Sequence, residues 1–204
     1  MEQRSEEWFA ARLGCVTASR TADVMAKTKS GYAASRANYM AQLITERLTQ
    51  TSVKGFTSAA MQHGTDTEPQ ARMAYELVTG ETVVETGFVP HPLIAGFGAS
   101  PDGLVGSDGL IEIKCPNSAT HIETLLDGKV PSQYMIQMQV QMMCLGRDWC
   151  DFVSYDPRMP ADMSFWMQRV FSDQAMQENI AVEVISFLGE MAHKLQRLRE
   201  KFNG

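Results

Sequence analysis

The chain has 204 residues, 44% hydrophobic and 21% charged, which is the composition of an ordinary globular domain large enough for a substantial core. No apolar run approaches the roughly 18 residues of a membrane span, and the opening Met1-Glu2-Gln3-Arg4-Ser5-Glu6-Glu7 lacks the apolar core of a secretory signal, so the expected location is the cytoplasm with no membrane association. A formal net charge of −6 excludes a protein that coats nucleic acid with its whole surface, while leaving room for a local basic patch.

In chain order, Trp8, Phe9 and Leu13 predict a helix over residues 5–13. Thr17 is placed to cap a second short helix running to Met25. Residues 27–34 are polar, contain Gly31 and read as a loop. Tyr39, Met40, Leu43, Ile44 and Leu48 mark an amphipathic helix near 35–49. A further helix is predicted over about 68–79, with Pro69 in its first turn and Gly80 as its stop. After Gly80 the character changes, and residues 82–89, 94–99, 103–105 and 110–115 read as strands joined by tight turns.

Helices return at 118–127 and 131–145, the second with Pro131 in its first turn and Met135, Met138 and Met142 on a core face. Strands are predicted at 150–155 and 163–170, then a long helix at 173–202. In that last helix Val184, Leu188, Met191, Leu195, Leu198 and Phe202 form an apolar stripe, expected to pack on the body of the fold in preference to another subunit. With no repeat or linker, the chain reads as a single domain over 1–204, an α/β fold with a mixed central β-sheet flanked by helices. Cysteines at 15, 115, 144 and 150 include no CxxC pair and are expected as reduced thiols.

The chemistry concentrates in Ser100-Pro101-Asp102-Gly103 and Leu110-Ile111-Glu112-Ile113-Lys114-Cys115-Pro116. Glu112 and Lys114 stand two apart on a predicted strand, so both leave one face while Ile111 and Ile113 leave the other. Burying an acid and a base on an apolar strand without partners is costly; a divalent cation satisfies the carboxylate and a water contacts the amine. A hairpin through Gly106 and Gly109 returns the chain, so Asp102 and Glu112 can meet near one end. Two carboxylates and a main-chain carbonyl suit Mg²⁺, which keeps several waters. Lys114 can orient an attacking water and offset charge developing on a phosphate. Pro-Asp-Gly alone is a common turn and Glu-x-Lys alone a common surface ion pair; the spacing, hairpin and apolar flanks together make the combination specific.

Pro101-Asp102 with Glu112-x-Lys114 resembles the PD-(D/E)xK nuclease signature, the restriction-endonuclease-like core. Around it, Arg12-Leu13-Gly14-x-x-Thr17-Ala18-Ser19, Gly64-x-x-x-Glu68, Cys115-Pro116 after the lysine, Tyr134-x-x-Gln137 and Tyr155-Asp156-Pro157-Arg158-Met159 resemble, in order and over residues 5–170, the phage lambda exonuclease and YqaJ-type viral recombinase family.

The resemblance implies Asp102, Glu112 and the main-chain carbonyl of Ile113 as holders of Mg²⁺, with two ions per site and Mn²⁺ as a substitute. Lys114 positions the water, Glu68 sits beside the metals, Gln137 supports the water or Lys114, and Tyr134 lines the site. Arg12, Ser19 and Ser100 resemble a pocket for a terminal 5′-phosphate, where a guanidinium and hydroxyls clamp phosphate oxygens. Lys29 falls where the family has a basic side chain following the duplex, and Met61 where it has an apolar wedge between the separating strands. Lys29 also reads as a mobile surface lysine and Met61 as ordinary helix packing. His63 is left out of the metal set. The implied activity is 5′-to-3′ digestion of one strand of linear double-stranded DNA, leaving 3′ overhangs for recombination by strand annealing, by a toroidal homotrimer working beside a single-strand annealing protein. The implied setting is a bacterial host carrying a phage or prophage. The alternatives are a structure-specific or restriction-type endonuclease of the same superfamily, and a DNA-end-binding module without catalysis.

Overall fold

The computed structural model describes residues 1–52 and 58–203. Its central sheet has five strands in the order β10-β9-β8-β7-β4. Here β4 is Val83–Val84, β7 Gly103–Val105, β8 Gly109–Lys114, β9 Trp149–Tyr155 and β10 Phe165–Phe171. The β7–β8 pair is an antiparallel hairpin, β8–β9 is parallel over six pairs from Gly109↔Trp149 to Lys114↔Ser154, and β9–β10 is antiparallel. The parallel step needs a crossover, which is supplied by α5 (Ser118–Asp127) and α6 (Ser132–Leu145). A second, three-stranded sheet runs β1-β6-β5, from Val16–Thr17, Phe97–Ala99 and Val89–Pro90.

β8 shows why the sheet is a platform. Leu110 meets Met138 and Met142 of α6 on one face, and Ile111 and Ile113 meet Ala71 and Tyr75 of α4 (Ala59–Thr79) on the other. The period of two sorts these residues, and Glu112, at zero exposure, inherits the α6 face. A third cluster joins α2 (Thr21–Met25), α3 (Ala34–Thr49), α6 and α7 (Gln174–Asn203) around Val24, Tyr39, Met40, Leu43, Val140 and Phe187.

Several elements depart from expectation. Thr17 lies in β1 and leads into a 3₁₀ turn, Ala18–Arg20, without a side-chain cap bond, because its strand pairs in parallel with β6. Residues 27–34 hold a small hairpin, β2 (Lys27–Thr28) and β3 (Gly31–Tyr32). Helix α4 runs Ala59–Thr79, so it starts at the Ser58 cap and carries Pro69 in its interior. There Pro69 removes the hydrogen bond to the Thr65 carbonyl. The predicted strand 82–89 is divided between two sheets, with β4 pairing with β7 and β5 with β6. Pro131 is the residue before α6, not part of its first turn. On α7 the buried face is Ile180, Val184, Phe187, Met191 and Leu195, and Phe202 is 74% exposed. All four cysteines are free, and no described helix is long and apolar enough to cross a membrane.

Candidate active site

The site forms where β8 outruns its partner. β7 pairs with β8 only as far as Gly103↔Ile111, so residues 112–114 continue past the start of β7. Asp102, the residue just before β7, fills the vacated edge, and its Oδ2 accepts the Ile113 N–H at 2.7 Å. In a strand the N–H and C=O of one residue point to the same side, so the Ile113 carbonyl faces the Asp102 side as well.

Glu112 is fully buried and accepts from three donors. Its Oε1 accepts from Gln137 Nε2 at 2.7 Å and from Lys114 Nζ, and its Oε2 accepts from Gln141 Nε2. Lys114 lies 5.1 Å from the centre of the Tyr134 ring, which stacks on Phe152 with centroids 5.3 Å apart. Burial raises the Asp102 pKa well above the usual carboxylate range; Glu112 and Glu68 push it the same way, against Lys114 and the Ile113 amide. Burial works to lower the Lys114 pKa, but Glu112 and Asp102 outweigh it and hold the amine protonated. Two carboxylates repelling across a partly buried edge, beside a strand carbonyl, are a fit for a hard dication. Among the described residues no group of three His, Cys, Asp or Glu side chains forms a metal cage, and the two-carboxylate set requires none.

Glu68 comes from α4, where its two oxygens take Arg4 Nη2 and Arg72 Nη2, each at 3.0 Å. Next door is a cavity of about 180 Å³ lined by Arg12, Ser19, Ser100 and Gln137, with Arg4 and Trp8 on its wall. The β1–β6 pairing explains the two serines: Thr17 lies opposite Gly98 in parallel register, so Ser19 and Ser100 leave the two strands at the same end. Helix α1 (Glu6–Ala11), capped by Ser5, supplies Trp8, whose indole N–H donates to Ser100 Oγ at 2.9 Å, and it ends at Arg12, whose guanidinium lies 4.0 Å from the Trp8 ring centre. Burial lowers the Arg12 pKa, and Arg12 joins no ion pair among the described residues.

Of the residues singled out from sequence, Asp102, Glu112, Lys114, Ile113, Gln137 and Tyr134 converge at the overhang, with Glu68 close by. Arg12, Ser19 and Ser100 converge on the cavity, and Gln137 faces both groups. Lys29 stands apart at the tip of the β2–β3 hairpin, and Met61 is 60% exposed in the first turn of α4. His63 is turned toward Thr67 with its Nδ1 3.4 Å from Oγ1, and its Nε2 is buried without a partner among the described residues.

Sequence reasoning missed Gln141, whose signal was its place four residues beyond Gln137 on the same helical face. It also missed the loop lock after β9. Buried Asp156 accepts from the Arg158 backbone and guanidinium, and Arg158 Nη2 reaches the Pro116 carbonyl at 2.9 Å, tying down the segment after Lys114.

A mixed five-stranded sheet carrying Asp102 and Glu112-x-Lys114 at one strand end defines the PD-(D/E)xK nuclease superfamily. Within it, residues 7–148 match the YqaJ-like viral recombinase domain, and the chain belongs to that family. It is similar to LHK-Exo, an alkaline exonuclease from Laribacter hongkongensis, with 58% identity over 97% of each chain and a TM-score of 0.90. LHK-Exo in complex with dAMP gives 0.91 at the same identity and coverage. A phage related exonuclease from Haemophilus somnus 129PT shares the fold, with a TM-score of 0.70 at 16% identity over 90% of this chain and 96% of that one. No protein with a curated description matches the chain.

Proposed function

We propose that the protein is a magnesium-dependent 5′-to-3′ exonuclease that digests one strand of linear double-stranded DNA and leaves 3′ overhangs for recombination by strand annealing. The observation that carries this reading is the meeting of Asp102, Glu112 and Lys114 at the β8 overhang, beside a cavity holding Arg12, which joins no ion pair among the described residues. The family's divalent-metal dependence and the similarity to an alkaline exonuclease support it.

Asp102, Glu112 and the Ile113 carbonyl would hold Mg²⁺, two ions per site, with Mn²⁺ able to replace it. The chemistry a bound metal would supply there is a lowered pKa for its water and an offset to charge on the scissile phosphate. Lys114, kept protonated, orients the attacking water and faces the charge that develops in the transition state. Gln137 and Gln141 fix the Glu112 carboxylate so that it needs no reorganisation, and Tyr134 walls the lysine from bulk solvent. Arg12, Ser19 and Ser100 take the 5′-terminal phosphate, which sets polarity by placing the next phosphodiester at the carboxylates.

Lys29 follows the duplex outside the site and Met61 separates the strands. Family membership supports a toroidal homotrimer acting beside a single-strand annealing protein, in the cytoplasm of a bacterial host, from a phage or prophage gene.

A time course on linear duplex labelled at either 5′ end, with Mg²⁺ or EDTA, tests catalysis, metal need and polarity together. Closed circular duplex is the control. Mononucleotides released from the 5′ side with the circle intact are expected; linearised circles replace this reading with an endonuclease, and binding without any release with an end-binding module.

A further inference from the structure

Gln3 and Arg4 are built into the wall of the site. Gln3 Nε2 donates to the Pro101 carbonyl at 2.8 Å and to the Thr86 carbonyl at 2.9 Å, which staples the N-terminal segment to the turn bearing Asp102. Ser5 caps α1. Between these anchors Arg4 adopts φ 69°, a left-handed backbone that a residue with a Cβ enters only under constraint from both sides. The side chain so directed lies on the same cavity as Arg12, Ser19 and Ser100.

Arg4 and Arg72 share Glu68, and Arg72 also pairs with Glu85. The only ion-pair partner of Arg4 among the described residues is Glu68, and Glu68 is independently held by Arg72 on α4. Arg72 is more buried than Arg4, with side-chain exposures of 16% and 51%. Glu68 therefore keeps a cationic partner when Arg4 leaves it. Arg12 across the cavity forms no ion pair among the described residues and feels Glu46 only at longer range. Two guanidiniums on one small cavity, one without an ion pair among the described residues and one sharing its carboxylate, suit an anion with several acceptor oxygens, and forked donors suit a phosphate.

We propose that Arg4 is a second guanidinium of the end-recognition pocket, swinging from Glu68 onto the 5′-terminal phosphate opposite Arg12. The proposal rests on the reading of that cavity as a phosphate pocket. It makes the N-terminal segment part of the substrate site, with Gln3 as the residue that positions it.

The test is equilibrium binding of a duplex oligonucleotide carrying either a 5′-phosphate or a 5′-hydroxyl, in Ca²⁺ with Mg²⁺ withheld, so that no turnover is needed. Arg4→Gln should weaken binding of the phosphorylated duplex about tenfold, the worth of a charged hydrogen bond, and change the hydroxyl duplex by no more than about twofold. Arg4→Lys should recover part of the loss. Arg4→Gly, which relaxes the backbone, should keep or raise Tm and still lose the phosphate preference, separating recognition from folding. Equal weakening of both duplexes, no weakening of either, or a wild type indifferent to the phosphate overturns the proposal. Phosphate-dependent binding without nucleotide release in Mg²⁺ supports the Arg4 assignment and removes the exonuclease. Nucleotide release that ignores both the phosphate and Arg4→Gln does the reverse.

Discussion

Asp102 and Glu112 are both acids at one strand end, yet substitution should separate them. Glu112→Ala leaves Lys114, Gln137 and Gln141 without their common acceptor in a fully buried position. It should cost about 3–5 kcal/mol of stability as well as activity, measured by urea unfolding in EDTA. Asp102→Asn keeps an oxygen for the Ile113 amide and removes only the charge that burial and Glu112 disfavour. It should stop cleavage while raising Tm in EDTA. Lys114→Ala should slow nucleotide release about 10³-fold and still bind Mn²⁺ by calorimetry; near-normal turnover would falsify its role.

Asp156 gives the pH test. Burial raises its pKa, but hydrogen bonds from Arg158 and Ser118 overcome this and bring it down from 3.8 to about 2. A depressed carboxylate stabilises the fold fully above its unfolded pKa, and that contribution is lost as pH falls through the folded value. Asp156→Asn should therefore lose about 1–2 kcal/mol near neutrality, a figure reduced for the half-exposed Arg158, and the gap to wild type should close between pH 4 and about pH 2. Glu112 and Lys114 were legible because their alternation with isoleucines is a local pattern, and Asp102 because it sits in a Pro-Asp-Gly turn at the head of the same hairpin. Glu112's set of donors was not, because two of them come from α6, some thirty residues further on.

At the scale of elements, hairpin β7–β8 and helices α3, α5, α6 and α7 could be read from periodicity. Helix α4 was read about ten residues short. Its first half, Ala59 to Thr67, has no apolar stripe to read, and Pro69 carries the mark of a helix start. Contact with β8, where Gly64 passes near the Cys115 carbonyl, and packing of Thr67, Ala71 and Tyr75 override that local signal. The split of residues 82–89 between two sheets was hidden for the same reason, since strand partners far along the chain decide it.

Gly103 is where two elements meet most tightly. A Cβ there would collide with Val83 of β4 and press on Ile111 of β8. Gly103→Ala should cost about 1–3 kcal/mol and, by lifting the strand that begins beside Asp102, slow cleavage at saturating DNA. A thermal melt and a kcat measurement check both effects, and an unchanged Tm would show that β4 yields freely.

At the scale of the whole molecule, a chain of net charge −6 repels a polyanion in bulk, so grip must come from local patches or from enclosure. If three copies surround the duplex, rebinding becomes intramolecular. Sedimentation should then report three chains, and excess unlabelled DNA added after loading should leave digestion running. Salt should slow loading more than continued digestion, because capture depends on unscreened charge. A monomer at working concentration, or an immediate halt on adding competitor, contradicts the ring.

The β2–β3 hairpin adds a mechanical element to this picture. Its root is clamped to α7, where Glu183 takes Lys27 and Tyr32 together, and Arg36, itself paired with Glu190, lies 3.9 Å from the Tyr32 ring centre. Its tip bears Lys29. The hairpin is a cantilever, and the clamp at its root sets its bending stiffness. One bond of that clamp joins Glu183 to the half-exposed Lys27, which makes it sensitive to screening. Ionic strength should thus act on the spring as well as on the charge it carries: rising salt is expected to soften the root and widen the arc swept by Lys29, read as faster amide exchange over residues 27–32 with exchange in the central sheet unchanged.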